Sequence, residues 1–435
     1  MSAFVILSLF ALLSFAIEPL NRLKLFAVIG LMVALFLSYQ GCAVILSGFD
    51  ATPQVSFFEM IVFIVMIAVV LHEQEGINIT QLLFIGAAST LLLQSQTLLS
   101  FILSFEALSI LSMILVAFIQ TKEEADGAIK LFIAGAIATA LIFMGAGLYA
   151  LDGHSLLQGI EMPHTPLGHI GLWLIVLALF YKLTIVPMHS WAIDSYANLS
   201  PTHTAILSAI TKSVAAIALF GIYQDYLVEA GIINLYALIV FALITMTLGN
   251  FLALFTQRLT QILAYSSIAQ AGYLLLALVA AQSQHASSGI LYMAVAYIFM
   301  QSSLFLMVGV LGKKPTHLTL KDIQGLHHQD KLTALLMTLQ LFSLAGIPLL
   351  AGFLGKAVLF YAVVDAGFYI VAFIALLNSA LSVGYYAWII KEIYFEKQTH
   401  PMELSITQTS RVAQLILLLG TLYFGIFAYT VFAYA

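Results

Sequence analysis

The sequence predicts an all-α polytopic membrane protein of fourteen transmembrane helices, built on inverted five-helix repeats with the seventh and twelfth helices broken. Three observations lead there. The 435 residues are 62% hydrophobic and only 8% charged, whereas soluble domains carry about 25% charged residues. The apolar residues gather into stretches of about 20, the length of helix that crosses the hydrocarbon core of a bilayer. The basic residues alternate along the chain as they do in a polypeptide threaded repeatedly through a membrane.

From the N-terminus, the apolar stretches lie near 2–17, 23–47, 57–71, 79–96, 98–119, 128–150, 168–187, 203–223, 232–255, 261–280, 287–311, 332–363, 367–391 and 410–433. The first lacks a basic leading region and runs straight into the second, so it reads as a span and not as a cleavable signal peptide. Gln94-Ser95-Gln96 is the sole punctuation between the fourth and fifth, and the twelfth is long for one helix and carries a break. The longest polar stretch, Lys313 to Lys331, is too short for a soluble domain. The chain 1–435 therefore reads as one transmembrane domain: N-terminal helices within 1–78, repeats at 79–223 and 232–391, and a C-terminal helix at 410–433.

Of the 15 Lys and Arg, 12 fall at odd-numbered loops. Arg22 and Lys24 are at the first, Lys122 and Lys130 around the fifth, and Arg258 at the ninth. Lys313, Lys314, Lys321 and Lys331 are around the eleventh, and Lys391, Lys397 and Arg411 around the thirteenth. The even-numbered loops hold no base but do hold Asp50, Asp152, Glu161, Asp225, Glu229 and Asp365. The positive-inside rule makes the odd loops cytoplasmic and turns both termini outward. The single Cys42 excludes a disulfide framework, a Cys-x-x-Cys metal site and a cysteine-ligated iron–sulfur cluster. His327 and His328 read as part of a solvated loop, since no matching ligand cluster stands near them in the sequence.

The other three bases, Lys182, Lys212 and Lys356, lie inside apolar spans, as does Glu106. A charge at mid-bilayer costs roughly 2.5–3.5 kcal/mol even on insertion scales. Such residues mark ion or proton pathways, and snorkelling does not relieve Lys182 and Lys212, which are far from either span end. Lys182 precedes Pro187, and Lys356 follows Gly346-Ile347-Pro348 and Gly352. Helix breaks within a bilayer survive where protein or water satisfies the freed backbone. The two breaks lie five spans apart, an odd offset that sets the two helices antiparallel and suggests an inverted repeat over spans four to eight and nine to thirteen.

Glu106 needs a partner or a proton at that depth, and Lys182 is the partner the sequence offers. Lys212 has no acid in its own span. Lysines alternating with polar side chains and water form a lateral route for protons. His189 and His203, within MHSWAIDSYANLSPTHTAIL, are possible relays or else hold irregular backbone by hydrogen bonding. Asp194, in the same segment, belongs at the cytoplasmic rim. Tyr265, Ser266, Ser267 and Gln270 put a polar stripe on the tenth span.

Three stretches, FYKLTIVPMHSWAIDSY (180–196), ILAYSSIAQAGYLL (262–275) and FSLAGIPLLAGFLGK (342–356), with EADGAIKLFIAGAIATALIFMGAGLYAL (124–151), resemble the antiporter-like subunits of respiratory complex I, specifically bacterial subunit N. The likeness runs over roughly 95–395. It implies fourteen helices with the seventh and twelfth broken. It implies a proton path with Glu106 and Lys182 as coupled pair, Lys212 as central relay and Lys356 on the exit side. It further implies a bacterial cytoplasmic (inner) membrane location, other complex I membrane subunits as partners, and no nucleic acid. NADH, flavin, iron–sulfur clusters and quinone would belong to the complex, with no cofactor or metal in this chain. The chain departs from the family at Gln261-Ile262, where a basic pair is frequent, at Gln270, where many members have His, and at Pro201-Thr202-His203, in place of Pro-Thr-Pro-Val. Mrp-type cation/proton antiporters and membrane-bound hydrogenases share much of the pattern. A Na⁺ path wants several oxygen ligands that lysines do not supply, which favours protons.

Overall fold

The architecture comes from a computed structural model that describes residues 2–17, 19–44, 47–73, 76–117, 121–229, 232–312, 317–397 and 402–434. Helices lie along every one of the apolar stretches, and the described residues form no β-sheet, only two isolated bridges, Phe49 with Ser95 and Arg258 with Thr319. In order they are α1 (Ala3–Ser14), α2 (Leu20–Tyr39), α3 (Pro53–His72), α4 (Gly76–Leu93), α5 (Leu98–Leu115), α6 (Lys122–Leu151), α7 (Pro166–Leu183), α8 (Ser190–Asn198) and α9 (Pro201–Ala205). A π turn (Ile206–Ile210) leads into α10 (Thr211–Glu229). Then follow α11 (Ile232–Ala253), α12 (Leu259–Val279), α13 (Ala286–Val310), a 3₁₀ turn (Leu320–Ile323), α14 (Leu326–Gln329), α15 (Lys331–Ala345), α16 (Ala351–Asp365), α17 (Tyr369–Tyr394), α18 (Gln408–Ile426) and α19 (Tyr429–Phe432). Eleven helices are long and apolar enough to cross a membrane, and Ala3–Ser14, Asn78–Leu93 and Lys331–Ala345 are shorter apolar helices. The chain is a multi-pass membrane protein.

Local chemistry sets the boundaries. α6 begins at Lys122, six residues before the apolar run at 128, because Thr121 and Glu124 form a capping box that satisfies the first backbone donors. Lys130 thereby lies on a helix. α2 stops at Tyr39 rather than near 47, and Gly41 follows at φ +67°, a left-handed turn that ends the helix. Lys24 likewise stands on a helix, largely buried, not in a loop. Lys313 and Lys314, and the side chain of Glu229, lie outside the described residues. α10, α12 and α13 are buried along almost their whole length and form the centre, while α2, α6 and α17 keep a large exposed apolar face. α6 and α7 meet backbone to backbone at Gly145 and Gly171. A Cβ on Gly145 would lie 2.5 Å from the Gly171 carbonyl oxygen, so only the small residue permits the approach.

Contacts between loops separate into two sets. Odd-numbered loops touch one another: Lys130 with Asp194 at 2.8 Å, His203 with Asn78 at 3.2 Å, Gln324 with Glu392 at 2.7 Å, and Arg411 with Asp330 at 2.7 Å. Even-numbered loops do the same: Asp50 N–H to the Gln94 carbonyl at 2.8 Å, Leu98 N–H to the Gln158 carbonyl at 3.0 Å, Ser283 to Asp365 at 2.6 Å, and Ser287 to Gln54 at 3.1 Å. The molecule thus has two ends, called here the odd-loop and even-loop faces. Near the even-loop face Tyr434 stacks on Phe57, ring centroids 4.7 Å apart.

Asp330 clasps the odd-loop face. Its side chain caps α15 by accepting from Leu332 N–H and Thr333 Oγ1, and it accepts 2.7 Å from Arg411 Nη2 of α18. Burial pushes this carboxyl up, but the bonds from Thr333 and Arg411 outweigh it and hold the group below the ordinary value. Since the folded form holds the proton less tightly than the unfolded, the clasp's contribution is full at neutral pH and is lost as pH falls through the folded value. Asp330→Ala should lower stability at neutral pH by about 1–2 kcal/mol, a cap plus a partly exposed ion pair. The deficit relative to wild type should shrink in acid, as read by thermal unfolding in detergent.

Candidate functional site

The two helix breaks are built alike. α7 ends at Leu183, and Thr184 takes a left-handed conformation (φ +59°) with its N–H bonded to the Phe180 and Tyr181 carbonyls; Ile185 N–H then returns to the Phe180 carbonyl at 2.9 Å. α15 ends at Ala345, and Gly346 is left-handed (φ +89°) with its N–H on the Phe342 and Ser343 carbonyls; Ile347 N–H returns to the Phe342 carbonyl at 3.0 Å. Both are Schellman caps, in which a left-handed residue and an apolar follower close the last turn. The shared pattern is Phe180…Thr184-Ile185 and Phe342…Gly346-Ile347, each followed by a proline, Pro187 or Pro348. A glycine at 346 accepts the left-handed backbone freely, but a β-branched threonine at 184 does not. An outlier kept at that cost points to a use for the side chain.

Lys212 supplies the use. Its Nζ donates 2.8 Å to Thr184 Oγ1, 2.6 Å to Ser267 Oγ and 3.1 Å to the Ser267 carbonyl. It lies 5.7 Å from the Tyr196 ring centroid and 6.0 Å from that of Tyr297. The residue is fully buried, and its hydrogen-bond partners are neutral oxygens. The π turn just before it inserts one residue into the helical repeat, with Thr211 N–H bonded to the Ile206 carbonyl, and so sets the face on which Lys212 emerges. Ser267 Oγ also bonds Tyr297 Oη at 2.8 Å, and Tyr297 donates 2.8 Å to the Ser208 carbonyl.

Lys182 sits in the last turn of α7, where the helix end carries partial negative charge, and donates 2.7 Å to Ser112 Oγ of α5. Glu106, two turns earlier on α5, accepts 2.8 Å from Thr139 Oγ1 of α6. Glu106 and Lys182 are near enough to interact electrostatically, yet no ion pair joins them; each is held by its own hydroxyl, and Glu106 Oε1 is enclosed without a partner. The two side chains that the sequence offers as a pair each bond a separate hydroxyl, Thr139 Oγ1 for Glu106 and Ser112 Oγ for Lys182.

Lys356 repeats the device. Its Nζ donates 2.7 Å to the Leu344 carbonyl, at the C-terminal end of α15, and 3.0 Å to Ser379 Oγ, with the Tyr273 ring centroid at 5.2 Å. Between Lys212 and Lys356 lies a run of buried polar groups. Ser266 Oγ meets Tyr386 Oη at 2.5 Å, Tyr385 and Tyr386 rings lie 4.4 Å apart, Tyr385 donates 3.0 Å to Asn250 Oδ1, and Asn250 Nδ2 donates 3.3 Å to Tyr273 Oη. Gln270 is fully buried and its amide lies against Tyr386.

The structure does not bring His189 or His203 onto the lysines. His189 occupies the N-cap position of α8 without a side-chain cap bond, its Nδ1 enclosed and unpartnered, and His203 Nε2 meets Asn78 Oδ1 of α4 at 3.2 Å. Asp194 pairs with Lys130 near the odd-loop face, both side chains partly exposed. His327 Nδ1 lies 2.8 Å from the Ile393 carbonyl. Sequence reading passed over Thr184, although the Lys-x-Thr-x-x-Pro spacing put a hydroxyl inside the break, and over Ser112, Tyr297 and Ser379, which carry no signal until the helices are assembled. It also passed over Glu59 of α3, fully buried and held by Ser38 Oγ at 2.7 Å and Gln94 Nε2 at 2.9 Å. Among the described residues no three His, Cys, Asp or Glu gather as a metal site.

Residues 95–382 match the family described as NADH:quinone oxidoreductase/Mrp antiporter, transmembrane. The chain is 32% identical over 359 residues to NADH-quinone oxidoreductase subunit N 1 of Thermodesulfovibrio yellowstonii, covering 80% of this chain and 76% of that protein. It is 29% identical over 445 residues to F(420)H(2) dehydrogenase subunit N of Methanosarcina mazei, covering 93% and 90%. A chain of respiratory complex I from Thermus thermophilus superposes with a TM-score of 0.88 at 25% identity, over 99% of this chain and 98% of that one.

Thr184→Val keeps the shape of the break but removes the hydroxyl from Lys212, leaving a buried donor short of one partner. It should destabilise by about 1–3 kcal/mol, whereas Thr184→Ser should stay near wild type in thermal unfolding. Equal stability of the two variants would show that this hydroxyl does not hold the ammonium.

Proposed function

The chain belongs to the NADH:quinone oxidoreductase/Mrp antiporter family of transmembrane subunits, and from that membership we propose that it is the antiporter-like subunit N of a respiratory NADH:quinone oxidoreductase, carrying protons through Glu106, Lys182, Lys212 and Lys356. One observation carries the reading to these residues: Lys212, buried at the centre of the molecule, is held by Thr184 and Ser267 oxygens alone, a cation site without a counter-charge. Such a site takes or sheds a proton when the charge or hydration nearby changes, which is what a relay needs.

The order of events follows from the chain's own geometry. A charge change outside the subunit alters the Glu106–Lys182 couple. Because Lys182 is held by neutral Ser112 rather than by Glu106 directly, it moves its proton inward without first breaking an ion pair. Lys212 receives it, and the Ser266, Tyr386, Tyr385, Asn250 and Tyr273 groups with intervening water carry it toward Lys356. Gln270 orients water there; an amide does not itself hold the proton. His189 is a relay of second rank, at the rim of the α7 break.

The same reading gives the topology. The chain crosses the bilayer fourteen times, α7 with the break and α15 with α16 each counting as one crossing. Spans four to eight (79–223) and nine to thirteen (232–391) form inverted repeats; the like Schellman caps and the two-sided sorting of loop contacts support this. The odd-loop face, which holds the bases, lies in the cytoplasm of a bacterial inner membrane and both termini face outward. Neighbouring antiporter-like and other membrane subunits flank the chain, while NADH, flavin, iron–sulfur clusters and quinone are handled by other subunits. The alternative, an Mrp-type Na⁺/H⁺ antiporter or hydrogenase subunit, is disfavoured by a path whose fixed groups are ammonium donors.

In the complex reconstituted into vesicles, Lys182→Ala and Lys212→Ala should each remove this subunit's share of NADH-driven proton uptake and depress quinone reduction with it, while the subunits still co-purify. Wild-type pumping and oxidation in both variants would sink the proposal. A pumping rate that tracked Na⁺ rather than pH would transfer the chain to the antiporter reading.

A further inference from the structure

Three groups surround the Lys356 nitrogen: the Leu344 carbonyl of α15, Ser379 Oγ of α17 and the ring of Tyr273 on α12. The carbonyl is fixed by its own helix end. The other two come from separate helices, and both are tied to one residue of a further helix, Asn250 of α11. Asn250 is fully buried. Its Nδ2 donates 3.3 Å to Tyr273 Oη and 3.0 Å to the Asn378 carbonyl. That carbonyl belongs to the peptide unit joining Asn378 to Ser379, so Asn250 grips the backbone from which Ser379 springs. Its Oδ1 accepts 3.0 Å from Tyr385 Oη, two turns further along α17.

A carboxamide suits this position. It carries two N–H donors and a carbonyl in one rigid plane, and here one donor goes to α12 and the other to α17, so the angle between the two grips is fixed. Asn378 returns the clasp, its Nδ2 donating 3.2 Å to Thr247 Oγ1, one turn before Asn250 on α11. Close packing stiffens the base of the clasp. A Cβ on Gly249 would lie 2.6 Å from Ala269 N, and one on Gly272 would lie 2.8 Å from Met246 N, so α11 and α12 meet backbone to backbone beside Asn250 and Tyr273. The Tyr273 ring also packs 5.9 Å from that of Phe360, one turn beyond Lys356 on α16.

We propose that Asn250 is the positioning residue for Lys356: it fixes Tyr273 and Ser379 at the lysine nitrogen and so sets the proton affinity of that site, acting through those two groups. This rests on the proton-translocating reading above, and it gives Asn250 a role beyond lining the route. A hydrogen bond is directional and short. If α17 shifts by about one ångström, the 3.0 Å bond from Lys356 to Ser379 passes out of range. The attraction of an ammonium to the Tyr273 ring likewise depends on the ring keeping its place. Both contacts act on the charged form of the lysine far more than on the neutral form. Loosening Asn250 therefore changes what Lys356 does with a proton, and not merely how well the helices hold together.

The test uses the assembled complex in vesicles, with NADH-driven proton uptake measured against pH for Asn250→Leu, Asn378→Ala, Ser379→Ala and Lys356→Ala. Ser379→Ala removes the oxygen itself and should displace the pH profile by about one unit, the worth of one hydrogen bond to a charged group. Asn250→Leu should displace it in the same direction and at least as far. Adding Ser379→Ala to Asn250→Leu should then move it little further, because the two act on one interaction. Asn378→Ala keeps the backbone half of the clasp and should give a smaller displacement. A residue that only braced the fold would lower the yield of complex and leave the profile of the surviving complex in place. An undisplaced profile in Asn250→Leu, beside a displaced one in Ser379→Ala, would overturn the positioning role and leave the lysine route standing. An undisplaced profile in Ser379→Ala would overturn it too, since Ser379 would then not be a working partner. Wild-type uptake in Lys356→Ala would overturn the route through this lysine itself. Failure of both Asn250→Leu and Asn378→Ala to assemble would show the clasp to be a brace, and the proposal would fall.

Discussion

Three lysine amino groups enclosed in the apolar interior are the constraint around which this molecule is arranged. None of the three forms an ion pair; Lys182, Lys212 and Lys356 donate instead to Ser112, to Thr184 and Ser267, and to the Leu344 carbonyl and Ser379. A fixed counter-charge at hydrogen-bond distance would stabilise the ammonium and also hold its proton in place. Neutral oxygens satisfy the donors without supplying a fixed counter-charge. The helix breaks follow from this need. An unbroken helix spends all its carbonyls on itself, whereas one that stops in mid-membrane leaves its last carbonyls, and a capping side chain, free to meet a lysine.

The two breaks solve that problem with the same cap but different residues. Gly346 is the ordinary choice, and there the lysine takes a backbone carbonyl. Thr184 is the costly choice, and there the lysine takes the side chain that makes it costly. Strain in the first half is thus exchanged for an oxygen that the second half obtains from the main chain.

What the sequence disclosed depends on range. Spans, breaks and buried charges were legible because hydropathy and proline act locally, over about 20 residues. The sorting of bases was legible because each loop contributes its own residues to it. The partners were not. Glu106 and Lys182 looked like a pair because they were the charges available; their hydrogen-bond partners are Thr139 and Ser112, and a serine in a helix gives no hint of which neighbour it faces. His203 looked like part of the lysine line because it lies near in sequence. Its ring instead bonds Asn78 of α4. Glu59 was hidden by lying in the first turns of its span, where an acid is unremarked until Ser38 and Gln94 are seen closing over it.

Lys212 is bonded on one side to Thr184, which belongs to the cap of α7, and on the other to Ser267 on α12. Its nitrogen is therefore a rivet between the earlier and later parts of the chain. If α12 slides against α10 by about one ångström, a 2.6 Å bond lengthens beyond hydrogen-bonding range, and the ammonium loses a ligand without any charged group having moved. In mechanical terms the site is a strain gauge, in which displacement of one half against the other is read out as basicity at a single atom.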